Sequence, residues 1–207
     1  MDFFPPGPPD DAEPEHRQSV WMGPPDDVLP GVVPVEFVLG RSSSTVVCLT
    51  GMRAFPAGLH MNLAVRVRGP VARRDLNGEV FDGPYAHGTD RQWQAGRLKW
   101  GFELSDGRRV TNVDPWPEPP DHGHGPDHHE QWLEWEPDHP VLQGGGGGGS
   151  NRSVDRDYWL WPLPPAGPIR VVCQWPDQGI ELTVHDLEAE PFLAAARRAH
   201  PAWPPAP

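Results

Sequence analysis

Several stretches of this chain alternate apolar and polar residues with a period of two, and this alternation limits the possible fold more than any other feature. It is clearest over residues 61–68, 98–105, 169–175 and 180–184. Successive side chains of a β-strand point to opposite faces, so such stretches predict strands with one buried and one solvated face. Residues 45–52 are almost continuously apolar, which is typical of a strand covered on both faces.

Turn residues and one helical stretch complete the predicted fold. Asp106-Gly107 lies between two strand-like runs and predicts a hairpin with a type I′ turn. Residues 188–199 predict the one convincing helix, with acids at its start and basic residues at its end. We therefore expect an all-β, antiparallel β-sandwich, immunoglobulin-like or similar, with one short C-terminal helix and long irregular loops. A small closed barrel is the alternative.

Proline and glycine divide the chain into parts. With 29 Pro and 23 Gly in 207 residues, long segments offer neither helix nor strand signals. We expect a disordered, acidic, Pro-rich segment at 1–27, then a single β-sandwich domain at 28–200. Two irregular insertions, at 69–96 and 114–157, interrupt the domain, and a Pro-rich tail follows at 201–207. The second insertion contains a run of six glycines that predicts a flexible tether. This tether corresponds to residues 144–150.

The negative charge is concentrated in two of these parts. Residues 1–30 carry a net charge of −6 and residues 114–139 carry −8, which leaves +2 for the rest of a chain whose net charge is −12. Such acidic segments argue against binding to nucleic acid or to anionic membranes, because both need a basic surface. The start of the sequence has neither the basic nor the apolar region of a secretion signal, so we expect a cytoplasmic protein. There Cys48 and Cys173 are expected to be free, inward-facing thiols.

A short histidine-rich stretch is the richest candidate for chemistry. His122, His124, His128 and His129 lie close to Glu130 and to two aspartates. Imidazole and carboxylate together suit a weakly bound divalent transition metal. Because glycine and proline leave this backbone unorganised, the alternative is a solvated acidic loop with incidental histidines; no other cofactor is expected. The HExxH zinc-protease pattern fails here, since residue 133 is Leu.

Three of the tryptophans outside the alternating stretches share one segment of the chain. Trp116, Trp132 and Trp135 belong to a Pro-rich, acidic sequence. Tryptophan is enriched at binding surfaces, so these side chains are candidates for contact with a protein partner. The alternative is that they hold the chain's own loops in place.

The C-terminal part of the chain resembles an uncharacterised family of actinobacterial proteins. The resemblance rests on the glycine run from Gly144, on Tyr-Trp-Leu-Trp-Pro-Leu-Pro-Pro at 158–165, on Gln-Trp-Pro at 174–176 and on the Ala-rich C-terminal helix. It extends loosely over 28–204. It implies a common unit of fold and no activity or site residue.

No catalytic arrangement stands out, so we expect a non-enzymatic protein-interaction or scaffold module that presents acidic, aromatic-bearing loops to another protein. The alternative is a metal-binding or metal-dependent protein that uses the loop 121–130. A weaker third hypothesis is an enzyme whose site is assembled from separate loops. Its candidate residues are Arg53, His60, Asp82, His87 and Arg91.

Overall fold

A computed structural model describes residues 18–69, 75–82, 95–118 and 133–203 of the chain. These residues form twelve strands, two α-helices and a 3-10 turn at Pro176–Gln178. The strands are β1 (Val28–Leu29), β2 (Gly31–Val32), β3 (Phe37–Arg41), β4 (Thr45–Ala54), β5 (Leu59–Val67), β6 (Lys99–Glu103), β7 (Arg109–Thr111), β8 (Val141–Gly149), β9 (Ser153–Trp161), β10 (Pro168–Trp175), β11 (Ile180–Glu188) and β12 (His200–Pro201). The helices are α1 (Leu76–Phe81) and α2 (Glu190–Ala196).

Two antiparallel sheets make up most of the fold. The larger has the order β2-β4-β5-β9-β8, and β3 pairs with β4 beside β2. The smaller has the order β11-β10-β6-β7. The sheets meet at one side, where the Thr183 hydroxyl and the His185 ring of β11 both donate hydrogen bonds to the carbonyl oxygen of Leu39 in β3. A third, two-stranded sheet joins β1 to β12.

One hydrophobic core lies between the two main sheets. Most strands of these sheets contribute residues to it, such as Leu63 and Val65 from β5 and Val171 and Cys173 from β10, all of them buried. Trp100 of β6 and Tyr158 of β9 meet edge to face across the core, with ring centroids 4.8 Å apart. The prediction of an antiparallel, all-β, sandwich-like fold is therefore confirmed.

The glycine run is a strand, so the prediction of a flexible tether at 144–150 is wrong for residues 144–149. Gly144 and Gly147–Gly149 have partners in β9, and a tight turn at Ser150–Ser153 connects the two strands. Strand pairing uses backbone groups alone, so a sequence without side chains can form a ladder that composition does not reveal. The predicted irregular insertion at 114–157 accordingly contains all of β8 and the first half of β9.

Other predicted irregular segments also contain ordered structure. The 69–96 insertion holds α1, whose first turn is capped by the Asp75 side chain accepting a hydrogen bond from the Gly78 amide at 3.0 Å. The part of the 1–27 segment that the structure describes packs on the larger sheet, and Trp21 is completely buried. In the predicted tail, Pro201 pairs with Val28. Residues 1–17 and 204–207 lie outside the described residues.

Smaller expectations also changed. The helix predicted at 188–199 begins at Glu190 and ends at Ala196, because residue 188 still belongs to β11. The predicted hairpin at Asp106-Gly107 forms, but in its loop the Leu104 amide donates to Arg108 O and the Gly107 amide donates to Leu104 O, and only Gly107 has positive φ (84°). This is the three-residue loop that ends in a left-handed glycine rather than a type I′ turn.

Candidate interaction surface

Trp21 anchors two distant segments of the chain on one side of the molecule. Its ring lies 5.4 Å from that of Trp116 and 5.6 Å from that of Trp135, measured between centroids. Its indole N–H donates to the carbonyl oxygen of Trp135 at 2.9 Å. The indole N–H of Trp159 in β9 donates to the carbonyl oxygen of Val20 at 3.1 Å and attaches this cluster to the larger sheet. The three indoles of the cluster thus fix the positions of residues 18–23, 116 and 135.

A network of hydrogen bonds holds the segment that leads from β7 to Trp116. The Asp114 carboxylate accepts from the Thr111 amide at 2.7 Å and from the Thr111 hydroxyl at 2.8 Å. The Asn112 side chain donates to Leu98 O at 3.1 Å and accepts from the Trp100 amide at 2.7 Å, which ties the same turn to β6. The turn is therefore rigid, and Trp116 follows it directly.

Around the tryptophan cluster lies a surface that is acidic and exposes one large ring. We call this surface, which comprises Asp114, Trp116, Glu118, Glu134, Glu136 and Asp138, the acidic–aromatic surface. All five acids are exposed, and neither 114–118 nor 133–140 contains Lys or Arg. Trp116 remains 43% exposed although one side of its ring packs on Trp21. The contacts favour the loop-holding role for Trp135, which is half-buried, whereas Trp116 both holds the loop and offers a ring to solvent.

A cavity of about 260 Å³ opens beside this surface, between the ends of β7 and β8. Asp114, Trp116 and His139 line it together with the guanidinium group of Arg156. Arg156 belongs to the inward face of β9, where it donates to the carbonyl oxygens of Val80 at 3.0 Å and Phe81 at 2.6 Å at the end of α1.

The rings of Phe81 and Tyr158 lie 4.9 and 5.1 Å from the carbon at the centre of this guanidinium group. These contacts give Arg156 a structural role, since it neutralises the negative end of α1 and fills the space beside Gly144. Burial raises the pKa of Tyr158, and the neighbouring Arg156 charge partly opposes this shift. The phenol is therefore neutral at physiological pH.

Sequence reasoning missed Arg156, although a signal for it was present. Val154, Tyr158 and Leu160 are buried on the inward face of β9, and residue 156 has the same parity. A charged residue at an inward position needs a partner. Extending the strand alternation back from Tyr158 therefore predicts a buried arginine contact at this point.

The outward face of the larger sheet carries a row of polar side chains. The Thr50 hydroxyl donates to Asn62 Oδ1, and Asn62 Nδ2 donates to Asp157 Oδ1, both at 3.3 Å. His60 Nε2 lies 3.9 Å from the same carboxylate oxygen, and burial lowers the pKa of His60. His60 and Arg53, two candidates of the enzyme hypothesis, are cross-strand neighbours here. Asp82 caps the distant helix α1, and His87 and Arg91 lie outside the described residues.

The metal hypothesis falls on residues that the structure does not describe. His122, His124, His128, His129 and Glu130 all lie outside the described ranges, as does Trp132. Within those ranges no group of three or more His, Cys, Asp or Glu side chains could hold a metal ion. The metal site at 121–130 therefore stays a prediction.

The two cysteines are free and lie on different faces. Cys173 is buried in the core, where burial raises its pKa to about 12. Cys48 is half-buried on the outward face of the larger sheet, so its expected inward orientation is wrong: Val47 and Leu49 on either side of it occupy the inward positions. Burial raises the pKa of Cys48 as well. Neither thiol is activated as a nucleophile.

None of the helices among the described residues is long and apolar enough to cross a membrane.

Comparison with known proteins gives no relative. The resemblance of residues 144–204 to an uncharacterised actinobacterial family stays a prediction. No protein-family profile matches the chain, and no curated protein or solved structure is significantly similar to it.

Proposed function

We propose that this protein is a non-enzymatic interaction module that binds a basic segment of another protein through its acidic–aromatic surface. The observation that carries the proposal is the position of Trp116. Its side chain is 43% exposed among five exposed carboxylates, while the ring packs on Trp21. Lys and Arg side chains bind to indole faces and to carboxylates. A surface that offers both groups together fits such side chains.

Rigidity supports the same proposal. Trp21, Asn112 and Asp114 fix the segments that carry the surface, so little conformational entropy is lost when a partner binds. The concentrated negative charge attracts a basic partner from a distance, and this attraction weakens as the salt concentration rises. We therefore expect the interaction to be salt-sensitive and to depend on the Trp116 ring.

A photo-crosslinking experiment tests this function directly. A benzoylphenylalanine introduced at Pro115 of the full chain, which is exposed directly beside Trp116 and leaves that ring in place, is expected to form a covalent adduct with a specific protein in cell extract. The same group introduced at Leu182, which is exposed on the outer face of the smaller sheet, serves as a matched control. The adduct at 115 must disappear when Glu134→Gln and Glu136→Gln are added. It must persist when the equally exposed Glu181→Gln and Glu188→Gln are added instead.

The outcomes of this experiment separate clearly. Adducts that form equally at 115 and 182, or that survive the loss of Glu134 and Glu136, would contradict recognition by the acidic–aromatic surface. Circular dichroism and thermal unfolding of every variant establish that the fold is unchanged. Deleting residues 114–150 is not a suitable test, because that range contains all of β8.

A further inference from the structure

One end of the larger sheet is basic. Four exposed arginines from different elements lie there, and we call this surface the arginine end: Arg41, Arg66, Arg68 and Arg152. Arg41 of β3 and Arg66 of β5 both pair with Val46 of β4, so they flank it in one row across the sheet. The backbone holds the other two at the same end, because the Arg68 amide donates to Ser44 O and the Val67 amide donates to Arg152 O, both at 2.8 Å.

The arginine end has few acidic partners. Among the described residues, one carboxylate, that of Asp155, lies within ion-pair distance of it, 2.8 Å from Arg66. Arg68 donates to Ser43 O at 2.7 Å, and a neutral carbonyl leaves its charge uncompensated. In the smaller sheet, by contrast, Arg170 lies between two acids, each at 3.3 Å.

The field of the arginine end reaches the neighbouring Cys48 thiol. Burial raises the pKa of Cys48, the charges of Arg66 and Arg41 oppose that shift, and the charge of Glu36 adds to it. Both guanidinium groups therefore lie near the outward face on which Cys48 is found. Four arginines set against Asp155 and Glu36 leave the arginine end with a net charge of +2.

The arginine end and the acidic–aromatic surface lie at opposite ends of the same strands. Ser153, where β9 begins, pairs with Arg66. Trp161, where β9 ends, pairs with Val141, which follows Asp138 closely in the chain. Nine residues of strand separate the two ends by about 25 Å, well beyond the range of attraction between exposed charges at physiological salt. The two surfaces therefore cannot neutralise each other within one chain.

We propose that the acidic–aromatic surface also binds the arginine end of a second copy, head to tail, so that self-association competes with the basic partner. This inference rests on the proposed function, because both ligands use the same surface. Guanidinium groups suit that surface, since they stack on an indole face such as that of Trp116 and pair with carboxylates through two parallel hydrogen bonds. The opposite charges of the two ends select a second copy, because every copy carries the matching surface.

The geometry of this contact determines the kind of assembly. It joins two different surfaces, so a copy that binds one neighbour still offers its other surface to the next copy. Such a heterologous contact forms open chains rather than closed dimers. A basic partner covers the acidic–aromatic surface and therefore ends a chain.

Two complementary variants of the intact protein test this arrangement. Arg41→Gln with Arg152→Gln weakens the arginine end, and Glu134→Gln with Glu136→Gln weakens the acidic–aromatic surface. In sedimentation velocity at low salt, wild type is expected to form oligomers that grow beyond dimers as the concentration rises. Each variant alone should associate with a dissociation constant raised about tenfold. An equimolar mixture should form dimers with wild-type affinity and few larger species, because only one intact surface of each kind is present in each pair.

Matched controls separate this contact from a general effect of charge. Arg170→Gln with Arg197→Gln removes two equally exposed arginines that lie elsewhere and should leave the oligomers unchanged. Circular dichroism verifies the fold of each variant. A hexa-arginine peptide should dissociate the wild-type oligomers by occupying the acidic–aromatic surface, whereas a hexaserine peptide should not.

Three results would overturn the proposal: wild type that is monomeric throughout the micromolar range at low salt, oligomers that the control substitutions disrupt as strongly, or a mixture that stays monomeric or grows beyond dimers. The mass of the adduct formed at position 115 separates this proposal from the proposed function, since twice the mass of the chain identifies a second copy. A monomeric wild type that still forms a specific adduct with another protein would refute self-association alone. Oligomers without such an adduct would refute the proposed partner alone.

Discussion

Alanine substitutions along β8 are expected to change stability in opposite directions at neighbouring positions. Gly146→Ala and Gly148→Ala place a Cβ in open space, so each should stabilise the fold by about 0.5–1 kcal/mol through the lower entropy of the unfolded chain. Gly147 has a φ of 152°, which side-chain-bearing residues rarely adopt, and its Cβ would collide with Asp155 O. We therefore expect Gly147→Ala to cost about 2–3 kcal/mol.

Gly149→Ala should also destabilise, by about 1–3 kcal/mol, because its Cβ would lie 2.0 Å from the Ser153 carbonyl oxygen and the turn must shift. The assay is guanidinium unfolding, followed by tryptophan fluorescence. The predicted contrast between the two groups is about 2–4 kcal/mol, well above the error of such measurements. If all four variants agree within about 0.5 kcal/mol, the segment behaves as a tether and the strand assignment is refuted.

Other predictions concern the tryptophan cluster and two titrating groups. Trp21→Ala should lower the free energy of unfolding by about 3–5 kcal/mol in urea, because the ring is fully buried. Trp116→Ala should cost less than about 1 kcal/mol, since its ring is partly exposed, and equal costs would contradict the anchoring role of Trp21. The raised pKa of Cys173, about 12, means that the folded state retains a proton which the unfolded state loses near pH 9. Stability should therefore fall with a slope approaching about 1.4 kcal/mol per pH unit between these values, and Cys173→Ala should remove that contribution. The lowered pKa of His60 means that the unfolded state binds the proton first, so stability should fall as pH drops below 6.5. An NMR titration of its ring with a midpoint at or above 6.5 would refute the burial of His60.

The sequence predicted those strands that have one buried and one solvated face. β5, β6 and β10 show the alternation directly, and the Asp106-Gly107 turn identified the hairpin of β6 and β7. In β11 the predicted strand forms, but the apolar Leu182 and Val184 face solvent. These parts could be predicted because burial on one face imposes a pattern of side chains with a period of two. The hairpin itself was correct although its turn type was not.

Strand β8 could not be predicted because glycine has no side chain to form such a pattern. The first half of β9 was missed for a related reason, since Asp155 and Asp157 alternate with Arg156, which makes the segment polar on both faces. Polar partners balance that polarity: Arg66 pairs with Asp155 at 2.8 Å, and Arg156 binds the carbonyls at the end of α1. A hydropathy pattern does not show whether a polar side chain has a partner. The first half of β9 is therefore apparent only from its pairing with the neighbouring strands.

The candidate surface, in contrast to β8, was partly predictable from the sequence. Charge and aromatic content marked residues 114–139, because neither feature depends on the fold. The role of Trp21 was not apparent, because its contacts join residues about a hundred positions apart in the chain. Long-range packing decides which tryptophan is buried and which is exposed, and sequence spacing carries no information about it.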